Sequence, residues 1–319
     1  MTHTLTWHDD ISRQARVLSC AMRLTLKPTF SLWPLTDGGI KAIGQLDRAV
    51  DRLPKPKRVT IEQVQLGGVP CEKTTHPKTA TGSLDGASVL YFHGGGFVFC
   101  GLATHRSACA TLAARAGVPV YSVEYRQIPY GGIGTSIADA MASYRAALET
   151  VADPGKIIVA GDSAGGYLAM KVAELAVLDG LTPPAAVVGF SPLLNLDLKS
   201  HPKEFMKKDA YLPMKQVIAL EDRWLNGPDA IAGSPSPIDV DPAIFPPVFL
   251  STAQYELMRP DVEAMTASLA AAGRTVETHV WKGQVHAFPV LAGALPEARV
   301  LLDLAVAFVA RVLADPSSQ

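Results

Sequence analysis

Short apolar runs recur through the middle of the chain, each followed by a longer stretch whose apolar positions repeat at helical spacing. The runs at 89–92, 119–123, 157–160, 187–190 and 248–251 are continuous and brief, which predicts buried strands. Residues 59–66 instead alternate apolar and polar positions, as a half-buried strand does. Gly67-Gly68 then turns the chain toward a second strand near 69–75, and 276–281 is a last alternating strand. Helices are predicted near 104–116, 135–151, 164–178, 261–272 and 295–313. Strands and helices alternating in this way predict an α/β fold with a mostly parallel sheet and helices on both faces.

Two stretches depart from the alternation. Residues 1–55 read as helical and amphipathic, and end in Pro54-Lys55-Pro56-Lys57, which reads as a linker. Residues 195–246 contain no strand and carry only a helix-like segment at 214–225. In an alternating α/β chain that is an insertion, and insertions after strand ends tend to lie over the active site.

Composition narrows the functional classes. Hydrophobic residues at 48% against 18% charged describe a well-buried globular protein, and 319 residues suggest about two domains. A net charge of −1 gives no electrostatic footprint for nucleic acid. Cys20, Cys71, Cys100 and Cys109 include no CxxC pair, so the thiols are expected to be reduced, small buried hydrophobes. Residues 1–10 lack the basic stretch and apolar run of a secretory signal. The greasy stretch 18–35 is broken by Arg23, Lys27, Pro28 and Pro34, and the uncharged run 180–196 holds three prolines, so neither predicts a spanning helix. A cytoplasmic, soluble protein is expected, with peripheral lipid contact through the amphipathic N-terminal region as an open alternative.

The strongest chemical signal is Gly161-Asp162-Ser163-Ala164-Gly165, a G-x-S-x-G set between an apolar strand and a helix pattern. A serine hydroxyl is a poor nucleophile unless a sharp turn presents it to a base, and the flanking glycines leave room for that turn. The helix starting at Ala164 adds its N-terminal dipole and a backbone N–H for a developing oxyanion. His93-Gly94-Gly95-Gly96-Phe97 follows the strand 89–92, and its consecutive glycines let backbone N–H groups approach a ligand oxygen. Neither phosphate-loop spelling occurs there, and His93 reads as a structural residue orienting the loop.

A serine nucleophile needs a histidine base and an orienting carboxylate, in this fold in the order Ser, Asp or Glu, His. His201 lies in the insertion and His279 within a strand, whereas His286 lies on a loop just past the last strand, so His286 is the expected base. Glu256 follows the strand 248–251 and leads as the acid. Asp261, in what reads as a helix's first turn, is the alternative. Phe97, Phe99 and Trp224 are read as core or cap packing before pocket lining, and Cys100 as a bystander near the glycine loop.

With these motifs the sequence resembles the hormone-sensitive-lipase-like group of α/β-hydrolases, the bacterial family IV carboxylesterases. His93-Gly-Gly-Gly-Phe97 and Gly161-Asp-Ser-Ala-Gly-Gly166 match that group's two signatures. Val123-Glu-Tyr-Arg126 resembles its strand-end Asp-Tyr-Arg, and Gly283-Gln-Val-His-Ala-Phe288 its histidine loop. The resemblance implies an α/β-hydrolase fold with Ser163 as nucleophile, His286 as base, and Gly95, Gly96 and the Ala164 N–H as oxyanion hole. It also implies a helical cap, here residues 1–55 and 195–235, over a catalytic domain of 56–194 and 236–319. Two departures stand out: Glu256-Leu-Met-Arg-Pro-Asp261 replaces the usual Asp-Pro-Leu-Arg-Asp, and Gln127-Ile-Pro-Tyr130 replaces an Ala-Pro-Glu. Aligning the arginine of the first places Glu256 at the acid position. The expected activity is hydrolysis of carboxylic esters of short to medium acyl chains through an acyl-enzyme, with no metal or organic cofactor. The alternatives are an amide or aryl-formamide hydrolase with the same triad, and a non-catalytic ligand receptor on this scaffold.

Overall fold

The computed structural model describes residues 3–315 apart from Thr79. Its strands are β1 (His3–His8), β2 (Thr60–Leu66), β3 (Val69–Thr75), β4 (Ser88–Phe92) and β5 (Val120–Val123). They continue with β6 (Ile157–Asp162), β7 (Ala186–Phe190), β8 (Val248–Ala253) and β9 (Val276–Trp281). The N-terminal helices are α1 (Arg13–Leu24), α2 (Leu26–Leu32) and α3 (Asp37–Asp51), followed by α4 (Leu102–Ala116), α5 (Ile133–Thr150) and α6 (Ala164–Leu178). The insertion carries α7 (Lys203–Lys208) and α8 (Met214–Leu225), and α9 (Arg259–Ala271) and α10 (Pro296–Ala314) complete the chain.

Among the described residues the strands form one sheet in the order β1-β9-β8-β7-β6-β4-β5-β3-β2. Only the β2–β3 and β3–β5 pairs are antiparallel. Every residue of β4, β6, β7 and β8 is buried, because helices cover both sheet faces. The two-residue repeat of a strand divides their side chains between two cores. Leu90, Phe92, Ile157 and Val159 pack with α5, α6 and α9 on one face. Val89, Tyr91, Ile158 and Ala160 pack with α4 and α10 on the other. This two-sided burial is why those strands read as unbroken apolar runs.

The expected strands and helices occur within a few residues of their predicted bounds, and α6, α8 and β9 at those bounds. Residues 1–55 are not wholly helical, however. β1 joins the main sheet beside β9, in parallel, and so leaves the expected N-terminal cap. Five of its six residues are exposed at the sheet's edge, and its short alternation of Thr4, Leu5, Thr6 and Trp7 opens a stretch that otherwise reads as helical. His8 anchors it by stacking on Trp281 at 3.8 Å and by a 2.9 Å hydrogen bond between its Nε2 and His279 Nδ1. Cys20 is exposed, against the expectation of buried thiols, while Cys71 and Cys109 are buried. No helix among the described residues is long and apolar enough to cross a membrane.

Candidate active site

Ser163 stands between the end of β6 and the start of α6 with φ 51° and ψ −118°, a backbone that side chains larger than glycine's rarely adopt. The turn is held by bonds from Ser163 N to Phe190 O at 3.0 Å and from Leu193 N to Ser163 O at 3.0 Å. Its glycines are sterically required. A Cβ at Gly165 would lie 1.9 Å from the Phe92 carbonyl oxygen, and one at Gly161 would lie 2.4 Å from the Gly165 backbone. The motif's spacing thus encodes a tight crossing of β4, β6 and α6.

The glycine loop after β4 lies alongside. Gly95 and Gly96 have φ of 118° and 61°, open to glycine and strained for other residues. The Gly95 carbonyl accepts from Val98 N and Phe99 N, and the Gly96 carbonyl accepts from Trp224 Nε1 at 2.9 Å. With the carbonyls held this way, the N–H groups of Gly95, Gly96 and Ala164 donate to no group among the described residues. All three residues line the cavity that Ser163 and His286 also line. Below the loop, His93 is buried, stacks on Tyr125 at 4.3 Å and bonds the Gly94 carbonyl through Nδ1. Burial lowers it to about 4, so the ring is neutral and structural, as its place in the motif suggested.

His286 lies past the end of β9, and its Nδ1 is 3.0 Å from Glu256 Oε2. The other Glu256 oxygen accepts from the Thr252 hydroxyl, and both Glu256 and His286 are buried. His286 Nε2 has no protein partner among the described residues. Burial disfavours the charged ring, but the bond and charge of Glu256, with Asp209 and Asp162 behind it, outweigh that and raise His286 above its ordinary value. Asp261, the alternative acid, is engaged elsewhere: its Oδ2 lies 2.5 Å from His201 Nε2. His279 bonds His8 and Glu277 at the sheet edge.

Three groups escaped the sequence reading. Asp162, inside the G-x-S-x-G, is buried and accepts from Tyr91 Oη at 2.8 Å and Gly94 N at 3.1 Å, with His105 Nε2 3.2 Å away. Burial pushes its pKa up, but the His105 charge and the His105 and Tyr91 bonds hold it below the usual carboxylate value. It fastens the glycine loop to the serine turn, a link its position before Ser163 could have suggested. Asp209 and Tyr211 come from the insertion, beside lysines and without a motif, and nothing in the sequence marked them.

The cavity measures about 400 Å³, within the range of small-molecule sites. Its far wall is apolar and comes from both irregular regions: Met22, Leu26, Phe30 and Trp33 from the N-terminal side, Leu220 and Trp224 from α8. Phe99 and Trp224 therefore line the cavity while Phe97 is in the core, and Cys100 lies on the wall with its thiol pushed up by burial.

Comparison with known proteins agrees with this fold. A family profile described as alpha/beta hydrolase fold matches residues 89–290. The chain is 31% identical over 313 residues to Carboxylesterase/phospholipase LipF of Mycobacterium tuberculosis, covering 95% of this chain and 83% of that one. It is 37% identical over 220 residues to Esterase LipU of the same organism, covering 66% and 73%. A crystal structure of an esterase from the bacterial hormone-sensitive lipase family superposes with a TM-score of 0.81 at 25% identity, covering 95% of this chain and 99% of that one.

Proposed function

Since the chain belongs to the hormone-sensitive-lipase-like group of α/β-hydrolases, the family IV carboxylesterases, and is a carboxylic ester hydrolase, we propose that it works through an acyl-enzyme on Ser163. The Ser163 Oγ attacks the ester carbonyl while His286 Nε2 takes its proton. The unused N–H groups of Gly95, Gly96 and Ala164 meet the oxyanion, and Glu256 stabilises the imidazolium through Nδ1. His286 then protonates the leaving alcohol and draws a proton from the water that releases the acid. The observation carrying this reading is one cavity bordered by the strained serine, the glutamate-bonded histidine and three idle N–H donors.

The apolar cap wall favours a neutral acyl chain of short to medium length. A panel of p-nitrophenyl esters from acetyl to palmitoyl tests this, with burst release of p-nitrophenol marking acylation before deacylation. Highest kcat/KM between butyrate and decanoate is expected; best turnover of palmitate, or of an anilide over every ester, overturns the assignment.

Peripheral lipid contact has its own support. Val17, Cys20, Ala21 and Leu24 form one exposed stripe along α1, with Leu24 71% exposed, and Leu32 on α2 is 85% exposed. Arg13, Arg16 and Arg23 accompany it with no acidic residue between positions 11 and 36, which suits an anionic lipid surface and repels a second copy of the same face. Co-sedimentation with phosphatidylglycerol vesicles, reduced with pure phosphatidylcholine vesicles and by Leu24→Glu, is the expected result. Equal recovery with and without vesicles refutes it.

A further inference from the structure

Asp209 is fully buried, yet none of the proposed chemical steps uses it. It closes α7 in the insertion, and its carboxylate reaches down to the catalytic loops. Oδ1 accepts from Tyr211 N at 3.0 Å and Leu212 N at 2.8 Å, while Oδ2 accepts from Leu257 N at 3.2 Å. Leu257 is the residue after Glu256. Two positions on, the Tyr211 hydroxyl donates to the His286 carbonyl oxygen at 3.1 Å. One short segment of the insertion therefore grips the loop that carries the acid and the loop that carries the base. From the other side, Lys27 of α2 donates to the Asp209 carbonyl oxygen at 2.6 Å, so both irregular regions close on the same point.

Burying a carboxylate is expensive unless hydrogen bonds and charge compensate it. Burial pushes the Asp209 carboxyl up, and His286 with the Leu212 and Tyr211 N–H groups works against that. Each bond its carboxylate accepts among the described residues comes from an N–H, the pattern of an anion. An asparagine in its place would set an NH₂ against one of those N–H donors. The charged and titratable groups around the pair are few. Glu256 beyond β8, Asp209 and Tyr211 from the insertion, and Asp162 at the end of β6 surround His286. Asp209 itself meets His286, Glu256, Tyr211 and Lys27.

We propose that Asp209 is a positioning residue of the triad: through Leu257 it sets the Glu256 loop, and with Glu256 it supplies the negative charge beside which His286 holds the Ser163 proton. The inference rests on the acyl-enzyme reading. In the acylation step the Ser163 O–H bond breaks, its proton goes to His286 Nε2 and the new bond forms from Oγ to the carbonyl carbon. The positive charge that appears on the ring is what Asp209 faces. A seated cap and an assembled triad are then one condition, because the same side chain serves both.

The test is Asp209→Asn in the full chain, with active sites counted by end-point fluorophosphonate labelling. Expected are a fall in kcat per labelled site of roughly 10- to 100-fold and a KM within about threefold of wild type. The acid limb of the kcat/KM profile should move to lower pH by about 0.5 unit or more, because removing a negative neighbour makes His286 less basic. A merely structural aspartate would lower the labelled fraction and leave both the kcat per site and the limb unmoved, and that result overturns the proposal. Should Asp209→Asn not fold, Tyr211→Phe decides, since it removes only the tether to the His286 carbonyl. A three- to tenfold loss of kcat per site is then expected, and wild-type kcat refutes the role. Failure of the underlying reading shows separately, as a wild-type protein that hydrolyses no ester or a Ser163→Ala variant that still does.

Discussion

In α6, behind the serine, every residue from 164 to 176 is buried, whereas α1 buries Ala15 alone and α2 buries no residue. Both regions border the same cavity. The sheet side presents atoms whose places are fixed from several directions: a serine in a strained turn, glycines that admit no Cβ, and a histidine bonded to a buried glutamate. The N-terminal helices and α8 present apolar side chains to that cavity. Chemistry demands sub-ångström placement, which close packing supplies. Accepting a flexible acyl chain demands only an apolar wall, which lightly packed helices supply. The comparison breaks down at Trp224 and Asp209, where the cap reaches into the rigid part.

The sharpest way to break the comparison is to exchange acids. Glu256→Gln is expected to cut kcat by roughly 10³- to 10⁴-fold, because the imidazolium loses its charged partner. It should also shift the acid limb of kcat/KM downward, since the base must be neutral and Glu256 raises the pKa of His286 above 6.5. Asp261→Asn should cost less than about threefold in kcat but about 1–3 kcal/mol in stability by urea unfolding, as it weakens the buried pair with His201. The reverse order of kcat losses would assign the acid to Asp261.

Next comes the cap's hold on the glycine loop. Trp224→Phe removes the 2.9 Å bond to the Gly96 carbonyl and should lower kcat by about five- to tenfold in steady-state assays. An effect confined to KM would make Trp224 part of the selecting wall only. Leu220→Trp narrows the cavity without touching the triad. It should leave acetate turnover within about twofold while lowering kcat/KM for octanoate by about tenfold. Equal losses on both substrates would show that cap and chemistry are not separable there. The smallest effect is expected farthest away. His8→Ala loses the stacking on Trp281 and the bond to His279, for about 1 kcal/mol in thermal unfolding and no change in kcat.

The same contrast governs what could be read in the sequence. Strands buried on both faces leave unbroken apolar runs, and the steric needs at Gly161, Gly165, Gly95 and Gly96 leave a fixed spelling, so the sheet and the serine turn were legible. That Glu256 and His286 meet was legible from their places after β8 and β9, where chain order and strand ends narrow the choice. β1 was not, although Leu5 and Trp7 alternate with Thr4 and Thr6, because four residues of alternation at an exposed edge do not stand out from the amphipathic helices that follow. Asp209 was not, because an aspartate after two lysines looks like a solvated loop until the fold buries it against Leu257 and His286. Groups whose role depends on a distant partner carry no local signature.

The central claim, that the rigid side of the cavity performs acyl transfer at Ser163, is tested most directly by catching the intermediate. The protein is mixed with excess p-nitrophenyl butyrate, quenched in acid within milliseconds and examined by intact-mass and peptide mass spectrometry. The account predicts one butyryl group per chain, located on Ser163, lost with time at neutral pH and absent in Ser163→Ala. Steady hydrolysis with no acylated protein, or a butyryl group on Cys100 or another residue in its place, would contradict it.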